Sequence, residues 1–245
     1  MPVTKTGMED SEDGHLNTDL IPEMVISRLG DWAGSPRSEM LWIIDVAFSG
    51  ANYSHLAALH IDNMATMANL PCISMFCMPD AEFVDPVDQE QSREMNMLIA
   101  MLYTLIHRLT ISANETLIDT HELAMMISSL NGKQETISKA LKAVEMLLRH
   151  RSPLLLIILG GLDQVETDET ESDLRELIEM LYADMRPTSR LKVLIGSEGY
   201  LRSGSSLEAE ECLDCALLPQ SRPGQALPGG RFVHEIDEGV FPTSH

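Results

Sequence analysis

Cys212-Leu213-Asp214-Cys215 has the spacing of a redox pair or of half a zinc site. Its surroundings argue against both chemistries. Glu208, Glu210 and Glu211 precede it, and neighbouring carboxylates raise a thiol pKa and disfavour the nucleophilic thiolate. A tetrahedral zinc site needs two further ligands, and Cys72 and Cys77 have four residues between them rather than two. All four cysteines therefore read as reduced packing residues of an intracellular protein. His55 and His60 lie five apart, off a common helix face, so they do not form an i, i+4 metal pair. Gly196-Ser197-Glu198-Gly199 falls short of the G-x-S-x-G elbow of a serine hydrolase, because its serine follows the glycine directly. The acidic stretch Thr167–Glu171 lacks the glycine of a calcium loop, and reads as a solvated loop at a helix start.

The apolar runs supply the scaffold on which any site must sit. Met40–Ile44, Cys72–Cys77, Leu154–Leu159 and Leu191–Ile195 are short, continuous and bounded by polar or turn residues, as buried parallel strands are. Gly160-Gly161 is expected to end the third run and Gly196-Ser197 the fourth. Between them, helices are expected over 53–69, 92–110, 133–150 and 172–185, with Pro187 closing the last. Ser112 with Glu115 has the pattern of a capping box opening a short helix, and Cys215–Leu218 that of an edge strand. Strands alternating with helical crossovers predict an α/β fold of three layers, a mostly parallel sheet flanked by helices. A helical bundle would turn the runs at 41–44 and 154–159 into helix interiors, for which both are too short.

The chain has 245 residues and a formal net charge of -21, with 44% hydrophobic residues. That is enough apolar mass for a sizeable core and too much for a disordered chain. The acidity argues against a nucleic-acid backbone or an anionic membrane as partner, since both call for a basic surface. The start of the chain has no basic segment followed by an apolar one, so no secretory signal is expected. The longest apolar run, Pro153–Gly161, is strand length rather than membrane length. A cytoplasmic location is the expectation. Four acidic runs, at 1–23, 80–94, 163–184 and 208–214, account for the charge, and no Lys or Arg occurs between Arg37 and Arg93.

Three spots, in order, resemble the NACHT-type nucleotide-binding domain of the signal-transducing P-loop NTPases, especially the form common in filamentous fungi. The first is Leu41-Trp42-Ile43-Ile44-Asp45-Val46-Ala47-Phe48-Ser49-Gly50-Ala51-Asn52. The family places a strand here, followed by G-x-x-x-x-G-K-[ST]. Asp45 stands at the first glycine and Gly50 keeps the second, while Ala51 replaces the phosphate-binding lysine and Asn52 the magnesium-binding hydroxyl. The second spot is Leu155–Gln164, against the family's D-G-L-D-E. Gly160 takes the first aspartate position, Asp163 keeps the second, and Gln164 replaces the glutamate. The third is Leu191–Gly199, where Glu198 stands at a position relatives usually give to arginine.

The resemblance implies an ATP or GTP site with magnesium, and the departures imply that it is lost. A phosphate loop works through backbone N–H groups, a lysine charge and a hydroxyl on magnesium. This chain lacks the lysine and the hydroxyl, and puts a carboxylate at the loop entrance. Gly50, Ala51, Asn52 and Asp163 are thus candidate vestigial nucleotide contacts, with no catalytic residue, no metal ligand and no retained cofactor expected. Asp163 reads either as a residual magnesium-shell residue or as a loop residue accepting backbone hydrogen bonds. The expected function is a catalytically inactive NACHT-like domain that acts through a protein partner or self-association. The alternative is a weak ATP- or GTP-binding protein, or an NTPase with an atypical phosphate loop whose cation comes from Arg93, Lys192 or Arg202. A subunit of a larger complex is a third reading. The expected organisation is an acidic arm and short helix over 1–38, the NACHT-like domain over 39–218 and a Pro/Gly-rich irregular tail over 219–245. With no helical lid or repeats after the fourth strand, the chain reads as an isolated or truncated core.

Overall fold

The bounded apolar runs become the strands of one parallel sheet. The structure is a computed structural model and describes residues 20–45, 52–77, 91–112, 120–185, 190–207 and 211–215. Its strands are β1 (Glu39–Asp45), β2 (Cys72–Phe76), β3 (Leu154–Gly160), β4 (Arg190–Glu198) and β5 (Cys212–Asp214). They lie in the order β2-β3-β4-β1-β5, every pair parallel. Six α-helices accompany them: α1 (Glu23–Gly34), α2 (Tyr53–Met67), α3 (Arg93–Ser112), α4 (Thr120–Ser128), α5 (Ile137–Arg149) and α6 (Glu171–Ala183).

The near-continuous apolar runs are explained by burial on both faces. Within β1, Leu41 and Ile43 join Leu156, Ile158 and Leu194 under α1 and α2. The alternate residues Met40, Trp42 and Ile44 face the other way, with Ile157, Val193 and Ile195, into a larger core closed by α3, α5 and α6. The result is three layers. Their chain order follows from the handedness of parallel crossovers, which is right-handed in almost all proteins. The crossover from β1 to β2 passes β4 and β3 toward one edge, whereas those from β2 to β3 and from β3 to β4 return. Connections running in opposite directions must then use opposite faces, and α2 lies on one face while α3, α5 and α6 lie on the other.

Gly160-Gly161 ends β3 as expected, with Gly160 its last residue, and two local expectations are revised. Gly196 and Ser197 do not end their strand, since β4 runs on to Glu198; Gly160 pairs with Gly196 and Gly196 with Ile43. Ser112 is the last residue of α3, and its hydroxyl donates to the carbonyl of Leu109 at 3.3 Å; the helix that its capping pattern with Glu115 would open lies outside the described residues. The edge strand β5 begins at Cys212, ahead of the 215–218 segment; residues 216–218, Glu115 and Pro187 lie outside the described residues. Helix α1 packs on the sheet through Val25, Leu29 and Trp32, all buried.

Because the α3–α5–α6 layer covers most of the sheet, its cohesion sets stability. Leu147 on α5 is fully buried, and Leu147→Ala is expected to cost about 2–5 kcal/mol in urea unfolding. Ile111→Ala, at a side chain 67% exposed, is expected to change stability by less than about 0.5 kcal/mol.

Candidate functional site

The carboxyl end of β1 is a topological switch point. Its crossover leaves over the α2 face, while the chain leaving β3 and the chain leaving β4 go over the opposite face, the latter burying Leu201. Such a crevice, beyond the carboxyl ends of parallel strands, is where open α/β sheets bind ligands. Asp45, Asp163, Glu198 and the amino end of α2 meet there. Gly50 and Ala51 lie outside the described residues.

A helix opens with four N–H groups that lack intrahelical partners, and in a phosphate loop such groups face the ligand. Here side chains of the same chain take them. The Asp45 carboxylate accepts from Tyr53 N through Oδ1 at 3.1 Å and from Ser54 N through Oδ2 at 2.9 Å. Asn52 is the N-cap residue, and its Oδ1 accepts from His55 N at 3.1 Å. Leu56 N begins the ordinary helical pattern on Asn52 O. The helix sits low enough for this because Gly196 lies beneath Ser54: a Cβ at Gly196 would come within 3.2 Å of the Ser54 Cβ.

Asp45 is 3% exposed. Burial raises its carboxyl above the ordinary value; hydrogen bonds from the Ser54 hydroxyl and from the Ser54 and Tyr53 amides oppose the rise, and the charge of Glu198 adds to it. The helix end offers an anion roughly 0.3–1 kcal/mol, and up to about 2 kcal/mol when partly buried.

The neighbouring loop after β3 is fixed by backbone geometry. Gly161 has φ of 74°, and a Cβ there would lie 2.3 Å from the Cys77 carbonyl oxygen, so no other residue fits. Asp163 follows on a single 3-10 turn. Its Oδ1 accepts from Glu198 N at 2.9 Å and its Oδ2 from the Gln164 amide at 2.6 Å. The backbone hydrogen bond expected of a loop aspartate is thus present at Asp163. Ser197 is fully buried, accepts from Trp42 Nε1 at 2.8 Å and donates to Gly199 O, which makes it a packing hydroxyl rather than a nucleophile.

Two of the basic residues considered from sequence are engaged by other groups. Lys192 is six residues upstream of Glu198 on β4, at the other end of the sheet, with Nζ donating to Trp32 O at 2.5 Å and pairing with Glu39 at 3.3 Å. Arg202 is held by Asp168 at 2.8 Å and Glu171 at 3.1 Å. Its backbone N–H and that of Ser203 donate to Glu166 at 3.0 and 2.7 Å. Burial works against ionisation of Glu166, but these bonds and the Arg202 charge hold its carboxyl below the ordinary value. Arg93 stands at the start of α3.

The cysteines are free thiols. Burial is the main reason that none is a ready thiolate: it pushes Cys72 and Cys215 up to about 12 and Cys77 to about 11, with carboxylates contributing second. Among the described residues no group of three His, Cys, Asp or Glu side chains is arranged to hold a metal ion, and no helix is long and apolar enough to cross a membrane.

No family model matches the chain, and no curated protein matches it in sequence. Among solved structures it is similar to the Aeropyrum pernix ORC1 protein, determined in complex with DNA, at 12% identity and a TM-score of 0.35. That alignment covers 80% of this chain and 48% of the other, so the chain spans about half of its length. A likeness this distant carries no functional argument.

A sequence reading recognises Asp45 as a charge at the loop entrance and misses its partner. The signal available is an aspartate closing a strand, with an Asn-Tyr-Ser helix start seven residues on. A carboxyl whose folded-state pKa exceeds its unfolded value contributes stability that is fully present below the unfolded pKa and lost as pH rises through the folded one. Asp45→Asn cannot ionise. Its stability relative to the unmodified chain is therefore expected to improve between about pH 4 and pH 7, measured by urea unfolding at each pH. A difference constant with pH, or moving in the opposite direction, contradicts the assignment.

Proposed function

We propose that the chain is a catalytically inactive, NACHT-like P-loop domain acting through protein contacts in the cytoplasm. The observation that carries this reading is the Asp45 carboxylate bound to the first amides of α2, where a phosphate would have to bind. β1, its loop and α2 form the strand–loop–helix unit in which P-loop proteins hold phosphate, and they stand at the switch point of a parallel sheet. That supports the scaffold. The residues do not fit the ligand.

Each polar function of the family site is replaced. Ala51 brings no charge to the phosphates, and Asn52 uses its side chain to cap α2. Gly160 is a strand residue with no side chain to offer magnesium, and Gln164 donates its amide to Asp163 instead of orienting a water. Asp163 is engaged by the Glu198 backbone. The 46–51 and 78–90 segments contain no Lys or Arg that could restore positive charge. Phosphoryl transfer depends on positioning and electrostatic stabilisation, and neither is supplied here.

The NACHT-like unit is placed at 39–218, after an acidic arm and before a Pro/Gly-rich tail. In the family such domains sit between an effector and repeats, which supports a role in assembly with a protein partner or with a second copy.

Calorimetry with Mg-ATP and Mg-GTP is expected to show no micromolar binding. The double substitution Ala51→Lys with Asn52→Thr is expected to leave phosphate release at the buffer rate, because Asp45 still holds the helix amides and positions 160 and 164 still lack carboxylates. Micromolar binding by the unmodified chain, or turnover by the double variant, overturns the inactive reading. Affinity purification from the native cells checks the second half: a stoichiometric partner protein is expected, and a solitary monomer contradicts it.

A further inference from the structure

At the opposite end of the sheet, α1, the C-terminal half of α2 and the amino ends of β3 and β4 enclose a cavity of about 400 Å³. This lies within the roughly 300–1,000 Å³ that small-molecule sites occupy. Leu29, Trp32, Ile61, Met64 and Leu156 give it an apolar wall. It is separate from the crevice above Asp45, since it lies at the amino ends of parallel strands whose carboxyl ends form the crevice.

Its polar groups are few and of one character. Arg190, the first residue of β4, lines the cavity and has no ion-pair partner among the described residues. Lys192 lines it two residues further along, 3% exposed, with its charge shared with Glu39. His60 lines it from α2, and its Nε2 is buried without a hydrogen-bond partner. Buried polar atoms in native proteins are nearly always paired, so an orphan facing a cavity indicates a polar atom supplied from outside. Asp31, which is exposed, is the one carboxylate among the described lining residues. Two cations gathered on one small cavity stand out in a chain of net charge -21.

We propose that this cavity binds a small apolar monocarboxylic acid, with its hydrocarbon body against Leu29, Ile61, Met64 and Leu156 and its carboxylate at Arg190 and Lys192. The charge count selects a monoanion. Glu39 neutralises Lys192, and the lining carboxylate Asp31 stands exposed to solvent. This leaves Arg190 as the half-buried cation without an ion-pair partner among the described residues, enough for one carboxylate and too little for a phosphate dianion. The wall selects an aliphatic or aromatic body, because most of its side chains make no hydrogen bonds. Lys192 also ties the cavity to the fold: its Nζ donates to the Trp32 carbonyl and lies 5.8 Å from the centre of the Trp32 ring, so the α1 wall and the cationic end are held together.

Titration calorimetry on the full chain with decanoate, decan-1-ol and decylamine tests the proposal. Decanoate is expected to bind at least tenfold more tightly than either analogue of the same chain length. Arg190→Gln is expected to abolish that preference while decan-1-ol binding stays within twofold. Ala68→Trp, which places a large ring at an exposed lining position, is expected to weaken all binding by tenfold or more, with circular dichroism confirming the fold. No decanoate binding, decylamine binding as tight as decanoate, or undiminished binding by Ala68→Trp each overturns it. The comparison of the three probes on the unmodified chain decides the matter even where a variant fails to fold.

Discussion

Helix α2 starts on a carboxylate that β1 supplies, and the arrangement of this protein depends on that contact. A helix beginning above a sheet exposes N–H groups that need acceptors. Asp45 reaches two of them from the last position of its strand, and Asn52 takes a third. This fixes where the first crossover leaves the sheet, with the small residues Ala57, Ala58 and Ala65 buried against it and Gly196 admitting its first turn. Helix capping and anion binding draw on the same kind of amides, and in this structure side chains of the chain itself accept from them.

The two ends of the sheet have contrasting chemistry as a result. At the carboxyl end, Asp45, Asp163 and Glu198 gather, and two of the three carboxylates accept backbone N–H groups. Their charge is absorbed by the fold. At the amino end, Lys192 is buried between α1 and the strands, and burial lowers its pKa while Glu39 opposes that shift. The uneven charge seen in the sequence therefore has a spatial counterpart. Asp45 and Glu198 stand at one end of the paired strands β1 and β4, and the buried lysine at the other.

The strand cores are legible from sequence because burial on both faces leaves an uninterrupted apolar run, as in Leu154–Leu159 and Leu191–Ile195. Their ends are legible only in part. Gly160 closes β3 as its local look suggests, whereas Gly196 lies inside β4; each is small because something packs on it, the Phe76 ring on one and Ser54 on the other. The absence of Lys and of a hydroxyl at positions 51 and 52 is read from sequence alone. The acceptor of the α2 amides is not, because it depends on Asp45 meeting amides eight and nine residues later. The place of Lys192 escapes sequence for a related reason, since sequence gives its strand but not which end of the sheet it reaches.

The central claim is that Asp45 holds the Tyr53 and Ser54 amides against any anion. The most direct measurement is the nitrogen–proton correlation spectrum of those two amides during titration with pyrophosphate, for the unmodified chain and for Asp45→Gly. Both signals are predicted to stay in place in the unmodified chain and to move, saturably, once the carboxylate is removed. Saturable movement of the two amides in the unmodified chain would contradict the claim.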